Sequence, residues 1–298
     1  MALTFEQMLL IQAIISGLFM GGLYILVSMG VSLIYGLMDL VNFAHGSFLM
    51  LSMYASFWLF RLLNIDPYLS LPIVAIIFFI IGWSLQKTII QRVITKGVLT
   101  SQFIVTFGIM LFIENMAVVT WHHDPRMLTT SLTTMVFRPW GIAISLPLAV
   151  TFSVSIAVSC IFHLLVKKTW VGLALRATSQ NRDSAEIMGI NVRNMFALAF
   201  AIGISLVSIG GVLLSTFYPV TPYVGLSFLL ISFIVCVLGG LGNYVGAIFG
   251  GLIIGIMEGL FGFLIVPHFK QIGYLLVFII ILAIRPQGLL GTKAIRGG

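Results

Sequence analysis

Residues Leu9–Tyr35 contain no acidic or basic side chain. A bilayer span takes about 20 apolar residues, so this stretch alone can cross a membrane with tilt. Eight more apolar runs follow: Leu40–Phe60, Tyr68–Leu85, Leu99–Thr120, Ile144–Val166, Met195–Phe217, Leu226–Gly239, Val245–Val266 and Ile272–Ile284. They are continuous and do not alternate, which predicts helices and not barrel strands. Leu226–Gly239 is short and Ile272–Ile284 borders on it, so these two are half-helices or tilted pieces, giving eight or nine crossings. Of the 298 residues 60% are hydrophobic and only 8% charged, too few charges to cover a soluble surface of that size. The mean hydropathy of +1.17 agrees. The expected fold class is all-α, a polytopic membrane protein of about eight or nine transmembrane or half-membrane helices, with residues 1–298 forming one membrane domain.

The opening "MALTFEQM" lacks Lys and Arg, and the apolar run after it is too long for a signal core, so no cleavable signal is expected. Cys160 and Cys236 each lie inside an apolar run, which argues against a disulfide framework or a metal site. The formal charge is +7, yet the basic residues flank apolar runs and form no interleaved basic–aromatic surface, so nucleic acid is not an expected partner.

The basic residues orient the chain. Eleven of the fifteen fall in one set of loops: Lys87, Arg92 and Lys96; Lys167, Lys168, Arg176, Arg182 and Arg193; Arg285, Lys293 and Arg296. The opposite loops carry Arg61, Arg126, Arg138 and Lys270. The positive-inside rule puts the richer set in the cytoplasm, with an external N-terminus and a cytoplasmic C-terminus. Trp58, Trp83, Trp121, Trp140 and Trp170 lie near predicted span ends, as interfacial tryptophans do. In the outer "WHHDPRM", His122, His123 and Asp124 lack a fourth ligand at fixed spacing and read as a solvated turn.

The largest cytoplasmic segment, Lys167 to Asn194, reads as two short helices, about Val171–Thr178 and Arg182–Met188. Asn181 suits the N-cap of the second, Asp183 its first turn, and Gly189 the left-handed position that stops it. This is either a basic loop that enforces topology or a capped helix presented to a partner.

The stretch "DLVNFAHGSF", Asp39 to Phe48, places polar groups between two very apolar runs. Asp39 is expected at the cytoplasmic interface as a cap for the next helix, and Asn42 and His45, at i and i+3, are expected on one face. Gly46 and Ser47 allow close backbone approach. Two readings stay open: hydrogen bonds between packed helices, at roughly 1 kcal/mol each, or a broken helix lining a translocation path. Further on, Gly242, Gly246 and Gly250, and then Gly251, Gly255 and Gly259, recur every four residues as two smooth strips on one helix. Glu258, within that helix, needs a partner or a cavity.

There is no Gly-Lys dipeptide, hence no P-loop, and no HExxH. No cofactor or metal is expected. His163, alone on an apolar run, reads as packed. An ion-coupled secondary transporter of small polar or amphipathic solutes is the alternative, but Asp39, Glu114 and Glu258 are isolated acids where such carriers usually bury several.

The segment "GLALRATSQNRDSAEIMGI" resembles the cytoplasmic coupling motif of ABC-importer membrane subunits, in particular the LivH-type permeases of branched-chain amino-acid importers. The matching positions are Gly172, Ala174, Arg176, Ala177, Asn181, Ala185, Gly189 and Ile190. "LVNFAHG", "PVTPYVGLSF", "VLGGLGNYVGAIFGGLIIGIMEGL" and "RPQGLLG" are similar to the same family over nearly the whole chain. The resemblance implies a permease subunit of the bacterial inner membrane that carries branched-chain or related amino acids. It further implies a second, homologous membrane subunit, two ATP-binding cassette subunits and an external substrate-binding protein. Arg176, Asn181, Ala185, Glu186 and Gly189 would then serve ATPase coupling. Asn42, His45, Gly46 and Ser47 would line the path, without a claim of direct substrate contact.

Overall fold

In a computed structural model, which describes residues 5–94, 99–139, 142–264 and 270–291, the first apolar run is one helix, α1 (Phe5–Met38). Its 34 residues extend about 51 Å at about 1.5 Å each, well beyond the roughly 30 Å hydrocarbon core. After a break come α2 (His45–Leu63) and α3 (Pro67–Leu85), the latter started by Asp66, whose Oδ1 accepts the Tyr68 N–H at 2.9 Å. α3 continues through a π-helical turn, Gln86–Ile90, into α4 (Gln91–Ile94). Then follow α5 (Leu99–Trp121), α6 (Leu146–Lys168), α7 (Trp170–Gln180), α8 (Arg182–Ile187), α9 (Val192–Leu214), α10 (Val224–Gly239), α11 (Tyr244–Leu264) and α12 (Lys270–Ile284). The one sheet among the described residues is a small antiparallel pair in the loop between α5 and α6, β1 (Val136–Phe137) with β2 (Ile144–Ser145).

Among the described residues, seven helices are long and apolar enough to cross a membrane, and α10 and α12 are shorter apolar helices. This matches the nine runs, including the two short ones. The 16 residues of α10 reach only about 24 Å. Trp140, Lys96, Lys293 and Arg296 lie outside the described residues.

Contacts define two ends of the bundle. At one, Gly36 of α1 meets Gly242, Asp39 meets Arg182, and the Leu289 N–H donates to Leu238 O at 2.7 Å. At the other, Arg126 and Val220 pair through their backbones, and Arg126 lies over the rings of Phe57 and Trp58. The "WHHDPRM" turn is therefore docked on the bundle and not merely solvated, and His123 Nε2 lies 3.2 Å from the Tyr223 hydroxyl. Trp121, expected at the interface, stacks on Tyr54 at 4.1 Å between ring centroids. His163 is packed, with Nδ1 3.3 Å from the Tyr244 hydroxyl.

α9 is the most buried span and sits at the centre against α3, α1 and α2. The glycine strips explain how α11 fits. Gly246 and Gly250 face α10, where a Cβ on Gly250 would stand 2.8 Å from Val235 O. Gly251, Gly255 and Gly259 face α1, against Gly21, Gly17 and Ala13. The two strips thus seat one helix against two neighbours. Gly242 departs from the expected strip: it precedes α11, has φ +79°, and turns the chain against Gly36.

Candidate functional site

The link between α1 and α2 and the α7–α8 elbow meet at the basic end of the bundle. In the elbow, Thr169 Oγ1 accepts the Gly172 N–H at 3.1 Å and starts α7 one residue before the expected Val171. Asn181 Oδ1 accepts the Ser184 N–H at 2.9 Å and caps α8, as its side chain predicts. Asp183 lies in the first turn of α8. The helix closes with a paired C-terminal motif: Gly189 N–H to Glu186 O at 2.9 Å and Ile190 N–H to Ala185 O at 3.0 Å. That motif needs a left-handed residue after the cap, and Gly189 supplies φ +83°. α8 consequently ends at Ile187, one residue short of the expected Met188, which becomes the C-cap.

Ala185 is buried and Ile190 packs against the same core, so this side holds the helix to the bundle. Glu186 is on the exposed side, and Ile187 and Met188 stand 85% and 81% exposed. Two large apolar side chains at the tip of a capped helix form a feature the sequence pattern did not single out. Arg176 sits apart from them. Its Nε donates to Gly172 O at 3.4 Å, and its side chain borders a small cavity beside Gly36, Leu37 and Gly242.

Arg182, the first residue of α8, reaches across to the α1 end. Its Nη2 donates to Asp39 Oδ2 at 2.8 Å and to Leu37 O at 3.2 Å, and its guanidinium lies over Phe196. The Leu37 carbonyl belongs to the last turn of α1, where a cation complements both the unpaired oxygens and the dipole. Asp39 thus pairs with Arg182 and does not cap α2. At φ +53° its backbone turns out of the helix, and the cap position of α2 is taken by Ala44. No local spacing rule links Asp39 and Arg182, which stand far apart in the chain; only the fold brings them together.

The polar stretch itself is a tight turn followed by a helix start. Asn42 precedes α2, so the expected i, i+3 helical face with His45 does not form. Instead Asn42 Oδ1 accepts the Ala44 N–H at 3.1 Å and Asn42 O accepts the His45 N–H at 3.2 Å. His45 donates from Nε2 to Val27 O of α1 at 2.9 Å, and its ring fits because Gly30 carries no Cβ, which would stand 2.9 Å from Cε1. Gly46 and Gly225 of α10 each leave room for the other's backbone. Asn42, His45 and Ser47 are all buried, yet Asn42 Nδ2, His45 Nδ1 and Ser47 Oγ have no hydrogen-bond partner among the described residues. A buried polar atom left so costs about 1–3 kcal/mol.

Glu258 of α11 is also buried and accepts a hydrogen bond from the Tyr24 hydroxyl of α1. Among the described residues, no group of three His, Cys, Asp or Glu side chains converges to hold a metal ion. Cys160 and Cys236 are free thiols.

The sequence profile described as "Branched-chain amino acid transport system / permease component" matches residues 13–284. The chain is similar to the high-affinity branched-chain amino acid transport system permease protein LivH of Salmonella typhimurium, at 29% identity over 97% of this chain and 98% of that one. It is similar to the corresponding protein BraD of Pseudomonas aeruginosa, at 28% identity over 96% and 97%. A probable branched-chain amino acid transport permease protein LivH of Methanocaldococcus jannaschii is 29% identical over 96% and 93%. No solved structure matches. A multi-pass helical membrane protein with this end-to-end likeness, the chain belongs to the branched-chain amino acid transport system permease component family.

Proposed function

We propose that the chain is the membrane-spanning permease subunit of an ABC importer for branched-chain or related amino acids, a single membrane domain of the bacterial inner membrane. Its N-terminus is external and its basic end, with the C-terminus, faces the cytoplasm. It performs no nucleotide chemistry. Two ATP-binding cassette subunits drive it, a second homologous permease subunit completes the path, and an external binding protein delivers the amino acid.

The observation that carries this reading is the α7–α8 elbow. A capped helix whose exposed tip is Ile187 and Met188 has the form of a plug for an apolar groove on another protein. Asn181, Glu186 and Gly189 shape that plug, Ala185 seats it on the bundle, and Arg176 stands behind it on α7. Arg182 ties it to Asp39, at the break that leads into Asn42, His45, Gly46 and Ser47. Closure of the ATPases moves α8, and the Arg182–Asp39 contact passes that motion to the break between α1 and α2. Rigid helix groups then rock between inward- and outward-open arrangements. The partnerless atoms of Asn42, His45 and Ser47 belong to a path that is shut in this arrangement and that water reaches when it opens.

Reconstitution tests the reading. The chain alone in vesicles is expected to accumulate no amino acid under a proton or sodium gradient. The complex purified from native membranes is expected to contain ATPase subunits and to accumulate leucine with ATP. Accumulation by the solitary chain overturns the proposal.

A further inference from the structure

Among the described residues, Glu258 is the only Asp, Glu, Lys or Arg that is buried, at 8% exposure. It stands about 21 Å along α11 from Tyr244 at about 1.5 Å per residue, hence in the half of the bundle away from the Asp39–Arg182 end. A carboxylate at such depth is costly and marks a polar site by default. Glu258 borders a cavity of about 480 Å³. Gln12, Ser16 and Tyr218 contribute polar groups to its wall, and Met20, Leu148 and Phe217 contribute apolar ones. The floor is the α1–α11 glycine seam at Gly17, Gly255 and Gly259, where no side chain intrudes.

This combination fits an amphipathic cation. One wall offers a carboxylate already oriented by the Tyr24 hydroxyl, the others offer aliphatic and aromatic carbon, and neutral donors stand beside them. We propose that this cavity is an amino-acid binding site on the external half of the permease, with Glu258 holding the α-ammonium group and Met20, Leu148 and Phe217 packing against the branched side chain. Gln12 and Ser16 then serve the substrate carboxylate as neutral donors. The proposal rests on the permease reading above and names where, within this chain, the cargo is first held.

Tyr24 binds Glu258 across the α1–α11 seam, so a purely structural role must be separated from substrate binding. Glu258→Gln keeps an acceptor for the Tyr24 hydroxyl and removes the charge. The full reconstituted complex carrying it is expected to assemble, while leucine affinity falls on the order of 30-fold or more, the range for removing one partner of a buried charge pair. A second measurement does not depend on that variant folding. In a Cys160→Ser background, chosen because Cys160 is exposed, Gly262→Cys, at a position that lines the cavity and where a Cβ would meet nothing within 4 Å among the described residues, is labelled with a small hydrophilic thiol reagent. Leucine is expected to slow labelling, and 4-methylpentanoate, which lacks the amino group, is expected not to. Equal protection by both compounds, or protection unchanged by Glu258→Gln, overturns the ammonium role. Absence of protection in a complex that transports leucine overturns the site and leaves the permease reading standing. A complex that transports no amino acid at all overturns the reading beneath it.

Discussion

The α1–α11 seam and the α7–α8 elbow are built on opposite principles. Along the seam, Gly17 and Gly21 face Gly251, Gly255 and Gly259, so two backbones lie in contact with no side chains to adjust between them. In the elbow, α8 has six residues, is held by end caps, the small Ala185–Ile190 contact with the core and the polar contacts of Arg182, and turns two large apolar side chains outward. Packing without slack makes two helices one body, whereas a short capped helix on a few polar contacts can be moved by a partner. Under the proposed function the first feature serves folding and the second serves coupling, so damage to each should register in different measurements.

The largest effect is expected from Gly255→Leu. Its Cβ would overlap Gly17 O and Gly21 Cα, backbone atoms that cannot yield. Overpacking of this kind costs about 1–3 kcal/mol and often more when backbone must shift. Thermal unfolding of the purified complex should show loss of the assembled protein. Gly262→Ala on the same helix, whose Cβ would meet nothing within 4 Å, should unfold as wild type. A stable Gly255→Leu protein would break the contrast.

Gly189→Pro is expected to leave assembly intact and abolish the link between hydrolysis and uptake. Proline holds φ near −65° where +83° is required, and it removes the N–H that donates to Glu186 O. A Cβ there meets nothing, so the membrane core is untouched. The ratio of leucine moved to ATP hydrolysed checks this, and an unchanged ratio would mean that the elbow is only a topological loop. Arg176→Ala with Asn181→Ala sharpens the same test, the cap alone being worth about 1 kcal/mol of local helix stability.

The smallest effect on stability is expected from the Asp39–Arg182 pair. A double-mutant cycle of Asp39→Ala and Arg182→Ala should give an interaction energy of about 0–1 kcal/mol in unfolding, as for other exposed pairs. The same cycle run on the uptake-to-hydrolysis ratio should show a larger interaction if the pair transmits motion. Additive effects in both would reduce it to a surface contact.

Much of this was legible in the chain. Continuous apolar runs define the nine membrane-type helices, because lipid forces every backbone group in a span to be satisfied within it. The bounds of α8 followed from Asn181 and Gly189, since caps are local chemistry. What depended on distant partners was not legible. Asp39 reads as a helix cap until Arg182 is seen beside it. Asn42 and His45 read as one helical face until the left-handed Asp39 delays the start of α2 to His45. The β1–β2 pair and the docking of Arg126 on Phe57 and Trp58 lay in the α5–α6 loop, which has no periodicity. The two glycine strips were visible, but only the fold assigns one to α10 and the other to α1, and only the fold sets an open cleft beside Glu258.

The shortness of α10 has a consequence for permeation. At about 24 Å it leaves Pro219–Tyr223 and Gly240–Asn243 to sit inside the nominal thickness of the bilayer. The backbone at the two ends of α10 is satisfied by protein and not by lipid: Arg126 pairs with Val220, and the Leu290 N–H donates to Gly239 O at 3.1 Å. Under the proposed permease role, a zwitterion crosses the least apolar depth beside that helix.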